Sequence, residues 1–202
     1  MFVMPANDVS IPAVYRFQTA AEKLAGALTI RGQPLVVTDF STNGVVAEAT
    51  GGIRYNDPVV KLGGPSVGPN QNASLSTTNF TGNGVLSFWW RGNTEEAVDG
   101  LDLEVNGVPY FYERFSMKDT NGVDAASVIW WGGYMPLTGV TNITWRYTRD
   151  DSYAVHENMV LLDRVIWIPQ ALIDELDAGA CTPHINAEFD PLFQGRTHAS
   201  GD

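Results

Sequence analysis

The sequence predicts an all-β chain folded as a two-sheet antiparallel sandwich, with an N-terminal arm and a C-terminal tail. Three observations predict it. The 202 residues include 20 glycines and 11% aromatic residues but only 17% charged ones, a balance that suits a β-rich globular protein. From Leu35 to Ile168, short apolar or alternating runs are broken by turn signals such as Asn83-Gly84, Asn106-Gly107 and Asn121-Gly122. No alternation of strand and helix patterns occurs, which argues against a parallel α/β sheet.

Taken in order, residues 1–34 mix Pro5, Pro12 and Pro34 with TAAEKLAGAL, which predicts two helical turns carrying Val14, Phe17, Ala21 and Leu24 on one side. Residues 35–168 predict about nine strands in LVVTDF, GVVAEA, ASLSTTNF, GVLSFWW, GLDLEVNG, VPYFYERF, SVIWWGGYMPL, TNITWRYTR and MVLLDRVIWI. Residues 169–202 begin with QALIDELDAG, a short helix with Leu172, Ile173 and Leu176 on one face and Gly179 as its stop. The remainder, CTPHINAEFDPLFQGRTHASGD, has no period and reads as an extended acidic tail.

Composition narrows the partners. The 23 acidic and 12 basic residues give a formal charge of -11, and no Lys/Arg cluster is available to displace counterions from a nucleic acid or dock to an anionic membrane. The single cysteine, Cys181, excludes an intrachain disulfide and a cysteine-based zinc site. The N-terminus lacks a basic region followed by an apolar run, and no stretch approaches the length of a membrane span. These features lead us to expect a protein made in a reducing cytoplasm, and leaving it, if at all, without a cleaved signal. The sequons at Asn72, Asn79 and Asn142 carry no weight in that setting.

Two tryptophan pairs, Trp89-Trp90 and Trp130-Trp131, raise a packing question, because neighbours on a strand face opposite ways. The run from Leu75 to Ile168 resembles a tryptophan-rich jelly-roll module, concanavalin/MAM-like, of large secreted bacterial proteins. The residues that carry the resemblance are GVLSFWWRGNTEE at 84–96, DGLDLEVNG at 99–107, WGGYMPLTGVTNITWRYTRDDS at 131–152 and LLDRVIWIP at 161–169. KLGGPSVGPNQNASLSTT at 61–78 is similar to the module's lead-in strand. The chain departs from that pattern at His156-Glu157-Asn158, where the module has an aspartate, and in an additional loop at YERFSMKDTNGVD, 112–124.

The resemblance implies a jelly-roll sandwich in which one tryptophan of each pair packs between sheets. We expect Phe88, Trp145 and Val165 in the core, Trp89 better buried than Trp90, and Phe88 beneath a loop on the face opposite Trp89. An exposed ring would instead offer the C–H face of a pyranose a flat apolar partner, and Trp90, Trp131 and Tyr147 are the candidates for that role.

No catalytic constellation stands out. The histidines are His156, His184 and His198, and H-E-x-x-H and a lysine-bearing phosphate loop are missing from the sequence. The acidic pairs Glu95-Glu96, Asp99 with Asp102, and Asp150-Asp151 read as solvated turn residues, so a non-enzymatic protein is expected. No cofactor is implied. The only metal expectation is calcium, with Asp150, Asp151 and Glu157 as ligands in an oxygen-rich loop.

These readings favour a structural protein of a larger assembly, a bacteriophage virion component that decorates a head or attaches to a tail through its terminal arms. Phe2, Val3, Tyr15 and Phe17 would anchor the first arm; Ile185, Phe189, Leu192 and Phe193 would anchor the second. Its partners would be other structural proteins of the assembly. The alternative is a carbohydrate-binding or adhesion module, on the cell surface or secreted, that takes a glycan on exposed aromatics.

Overall fold

A computed structural model describes residues 18–29, 35–53, 57–94, 99–114, 130–151 and 157–177. Ten strands follow one another: β1 (Asp39–Phe40), β2 (Val45–Glu48), β3 (Val59–Gly63), β4 (Asn72–Thr77), β5 (Gly82–Asn93), β6 (Gly100–Val105), β7 (Val108–Arg114), β8 (Trp131–Val140), β9 (Ile143–Thr148) and β10 (Met159–Pro169). Helix α1 (Ala20–Leu28) precedes them and α2 (Gln170–Asp177) follows. The strands form two five-stranded antiparallel sheets, ordered β1-β4-β9-β6-β7 and β2-β3-β10-β5-β8. Removing the two short edge strands β1 and β2 leaves the eight-strand double Greek key of a jelly roll.

The helices obey local rules. The Thr19 hydroxyl accepts from the Glu22 backbone N–H at 3.2 Å, and the Glu22 carboxylate accepts from the Thr19 N–H at 2.8 Å, closing a capping box at the start of α1. Leu24, Ala27 and Leu28 bury the inner side of α1 in the main core, with Ala21 partly buried beside them. Val14 and Phe17, expected on the same side, lie outside the described residues. On α2, Leu172 and Ile173 pack on Val85, Ile166 and Ile168, the outer face of β5 and β10. Gly179 and the side chain of Leu176 lie outside the described residues.

Alternation decides the core. Ala73 and Leu75 on β4, Ile143, Trp145 and Tyr147 on β9, and Leu101 and Leu103 on β6 face inward from the first sheet. Val60 and Leu62, Leu86 and Phe88 and Trp90, Met135 and Leu137, and Val160, Leu162, Val165 and Trp167 meet them from the second. Strand β10 is covered on both faces, because α2 lies over one stretch of its outer face and Trp130 packs near Val59, Met159 and Leu161 over another. That double coverage explains why MVLLDRVIWI is almost continuously apolar.

One of the expected turn signals lands differently. Asn106 and Gly107 both take positive φ, 55° and 76°, and form the two-residue β6–β7 hairpin. Asn83-Gly84, by contrast, lies inside β5. Gly84 serves close packing there: a Cβ on it would lie 2.4 Å from the Ile168 carbonyl oxygen. Asn121-Gly122 lies outside the described residues, and β3 was not among the expected strands.

The tryptophan pair reverses its expected order. Phe88, Trp145 and Val165 are core residues as expected, but Phe88 shares its face with Trp90, and both point between the sheets. Trp90 is 5% exposed, whereas Trp89 is only half-buried on the outer face. Their neighbours explain the fit. A Cβ on Gly132 would lie 3.0 Å from the Trp89 ring, and one on Gly133 would lie 2.9 Å from the Trp90 ring. The tryptophan pair on β5 therefore meets a glycine pair on β8, one ring over each glycine on opposite faces. Truncating Trp90 to alanine should cost about 3–5 kcal/mol, and truncating Trp89 clearly less, in urea unfolding of the two variants. Equal losses would show that the outer face is as tightly packed as the inner.

Candidate functional site

The jelly-roll connection places β7 at the edge of the first sheet and β8 at the edge of the second. The two edges run along the same side of the sandwich, since the Tyr110 hydroxyl on β7 donates to the Pro136 carbonyl on β8 at 3.0 Å. A β-bulge makes this contact geometrically available. Phe111 pairs with Leu103 and Pro109 with Glu104, which leaves Tyr110 as the extra residue, re-aimed toward the other sheet. Phe111 turns inward instead and meets Trp90 edge-on, ring centroids 5.4 Å apart.

Large exposed aromatics gather on these two strands. Tyr110 is 51% exposed, Tyr112 72%, Trp131 54% and Tyr134 57%, and the remaining exposed large apolar residues among those described are valines. Trp131 stands opposite Trp90 in the β5–β8 register, at the rim beyond the buried ring. Tyr134 stands opposite Ser87 on the outer face. Tyr112 stands opposite Asp102, whose carboxylate accepts from the Thr148 hydroxyl at 2.5 Å. Next along the same face, Glu104 is bound to Arg146 at 3.0 Å. Beside Tyr112, the outer face of the first sheet thus carries two carboxylates, engaged by Thr148 and Arg146.

Of the three expected sugar-stacking residues, only Trp131 is on this surface. Trp90 is core, and Tyr147 is fully buried at 0% exposure. The reason is alternation again: Tyr147 lies two residues from Trp145 and shares its inward face. Tyr110, Tyr112 and Tyr134, exposed on the same two strands, were not among the candidates, although Tyr110 and Tyr112 flank the partly buried Phe111.

Tyr147 has a structural task. Its hydroxyl donates to the buried carboxylate of Asp99 at 3.0 Å, and the Thr94 hydroxyl donates to the same oxygen at 2.6 Å. The other Asp99 oxygen accepts from the Asp150 backbone N–H at 3.0 Å. Burial, reinforced by the Asp99 charge, pushes the Tyr147 hydroxyl well above the usual tyrosine range, so it remains a donor. Asp99 was expected in a solvated turn; the structure makes it an internal tie between β5, β6 and β9 instead.

The expected calcium ligands do not converge. Asp150 and Asp151 follow β9 and Glu157 precedes β10, and among the described residues no three acidic, histidine or cysteine side chains are grouped to hold a metal. Asp150 instead closes the end of the sandwich, its carbonyl accepting from the Asn70 N–H at 2.8 Å. The eight expected arm anchors, Phe2, Val3, Tyr15, Phe17, Ile185, Phe189, Leu192 and Phe193, lie outside the described residues, as do His156, His184 and His198. No described helix is long and apolar enough to cross a membrane.

One further carboxylate is buried, away from the aromatic edge. Asp163 lies at the β10 bulge, beside Arg164 with φ of 51°, and accepts from the Ile53 N–H at 2.7 Å. Burial raises its pKa, against the opposing pull of that hydrogen bond and of Arg164. A raised folded-state pKa means its contribution to stability is greatest below the ordinary aspartate range and is lost as pH rises through the folded value. Asp163→Asn, which keeps an acceptor for Ile53, should therefore improve relative to the wild type as pH rises from acid to neutral. Urea unfolding at both pH values reads this, and an unchanged difference would remove Asp163 from the pH dependence.

No family model matches the sequence, and no curated protein does. Solved structures are similar in architecture. The K1 cleaved adhesin domain of Lys-gingipain from Porphyromonas gingivalis W83 is 14% identical, over 67% of this chain and 89% of that one, with a TM-score of 0.49. TmCBM61, solved in complex with beta-1,4-galactotriose, is 12% identical over 67% of this chain and 88% of its own, with a TM-score of 0.40. The CBM35 from Paenibacillus barcinonensis is 16% identical over 62% and 92%, with a TM-score of 0.35.

Proposed function

We propose that the chain is a carbohydrate-binding or adhesion module that holds a glycan along the β7–β8 edge, with Trp131 as the principal stacking ring. One observation carries this reading: the four large aromatics exposed on β7 and β8 lie on edges joined by the Tyr110–Pro136 hydrogen bond. Their exposed faces are flat and apolar, a surface on which a sugar's C–H face can stack. Exposed apolar surface on a folded domain marks a binding surface when it is extensive. The virion reading rests on terminal anchors outside the described residues, and no feature of the described surface favours it.

The backbone geometry suits the role. Trp131 is carried by a strand paired along its length with β5, and Tyr110 is held by its hydroxyl, so both rings are set before a ligand arrives. Preorganised rings lose little entropy on binding. Trp131→Ala should weaken glycan binding at least about tenfold, the equivalent of about 1.4 kcal/mol. Stability should change by no more than about 0.5 kcal/mol, as for an exposed position away from the core. Affinity electrophoresis against a panel of soluble polysaccharides, with melting temperatures alongside, reads both. Glycan binding that survives Trp131→Ala unchanged would move the site off this edge.

A further inference from the structure

Resting on the module reading, we propose a second sugar-stacking site, separate from Trp131, on the outer face of the second sheet, with Trp89 as its ring. The orientation of that ring carries the inference. A Cβ on Gly132 would lie 3.0 Å from Cε2 of Trp89 and 3.1 Å from both Cδ2 and Cζ2. Cε2 and Cδ2 are the fusion atoms of the indole, shielded within the ring plane by their bonded neighbours. An atom that meets them first therefore lies over a ring face. One face of Trp89 rests on Gly132 of β8, and the other is turned away from the sheet, which leaves the residue half-buried. A ring set flat on a paired strand is the surface against which the C–H groups of a pyranose stack.

The surroundings complete the site. Ser87 and its cross-strand partner Tyr134 lie on one side of Trp89, and Arg91 lies on the other, its guanidinium 5.5 Å from the Trp130 centroid. Helix α2 covers the outer face at Val85, Ile166 and Ile168, and Trp130 packs by Val59, Met159 and Leu161. Trp89 lies between those two covers. A sugar stacked on it meets the Ser87 hydroxyl and the Arg91 guanidinium two residues away along β5, roughly 7 Å in either direction. Tyr134, 57% exposed, adds a second ring at the β8 end.

Size selects a sugar over a protein partner. Two aromatic side chains carry at most about 500 Å² even when fully exposed, below the roughly 800 Å² that one partner buries in a stable protein interface. The site is also distinct from the edge. Trp131 is the register partner of Trp90 and so points to the opposite side of the sheet from Trp89. Strand β8 lies between the two rings, and one short sugar cannot stack on both.

The test follows the indole N–H signals of the isotope-labelled full chain by NMR while galactotriose, xylotriose, maltotriose and cellotriose are added in turn. Trp89→Ala and Trp131→Ala assign the two signals, with melting temperatures to confirm that each variant folds. The expected result is that at least one trisaccharide shifts both signals to saturation. In Trp131→Ala the Trp89 signal should still titrate, with a Kd within about twofold of the wild type, as for independent sites. A Trp89 signal that stays still while Trp131 responds would overturn this inference and leave the edge reading standing. A Trp89 response lost in Trp131→Ala would make the two rings one site and overturn it as well. No response of either ring to any of the four sugars would overturn both.

Discussion

The sandwich depends on one chain of aromatic contacts that joins its two sheets. Trp145, central in the first sheet, meets Phe88 of the second edge-on at 5.9 Å, Phe88 meets Trp90 at 5.1 Å, and Trp90 returns to Phe111 of the first sheet at 5.4 Å. The path runs from β9 to β5 and back to β7, so it fixes the spacing of the sheets at the β7–β8 side. Burial of each such ring contributes on the order of 2–3 kcal/mol, and the edge-to-face geometry adds to it. Everything on the exposed edge inherits that spacing. The Tyr110 hydroxyl reaches Pro136 because Phe111, its neighbour, is held inward by Trp90.

The same contacts show what was legible in the sequence. The fold class was, because period-two runs and glycine-rich turns leave few alternatives to two antiparallel sheets. Helix α1 was legible through the apolar spacing of TAAEKLAGAL, and the core positions of Phe88, Trp145 and Val165 through the sandwich that the strand pattern and the resemblance imply. The sense of the tryptophan pair was not. Alternation groups Phe88 with Trp90 and leaves Trp89 outside, but a local pattern does not reveal which set faces inward. The deciding partners, Gly132 and Gly133, are some forty residues away. Strand β3 was hidden for a related reason: Lys61 interrupts a short run that continues into glycines and a proline, and only pairing with β2 and β10 makes it a strand.

Tyr147 shows how an aromatic can look like a binding residue and do internal work. A buried carboxylate costs several kcal/mol unless its oxygens are satisfied. Asp99 is satisfied by two hydroxyls and one backbone N–H, drawn from the ends of β5 and β9. The phenol contributes a donor that stays protonated and a ring that fills core volume. A sequence pattern records only that a tyrosine follows Trp145 by two positions, and that position is itself the argument for the interior.

The exposed edge poses a physical problem that also frames its use. Two edge strands with apolar rings are a template for pairing with another chain, and proteins that tolerate such edges disarm them. Here Pro109 and Pro136 lack the N–H a pairing strand would need, the Tyr110 bulge bends β7, and Gly132 and Gly133 offer no side chains for a partner to pack on. The rings are therefore left accessible on strands unsuited to adding another strand. Such a surface favours a ligand that needs flat apolar faces and hydroxyl acceptors and brings no backbone of its own, which is the chemistry of a sugar.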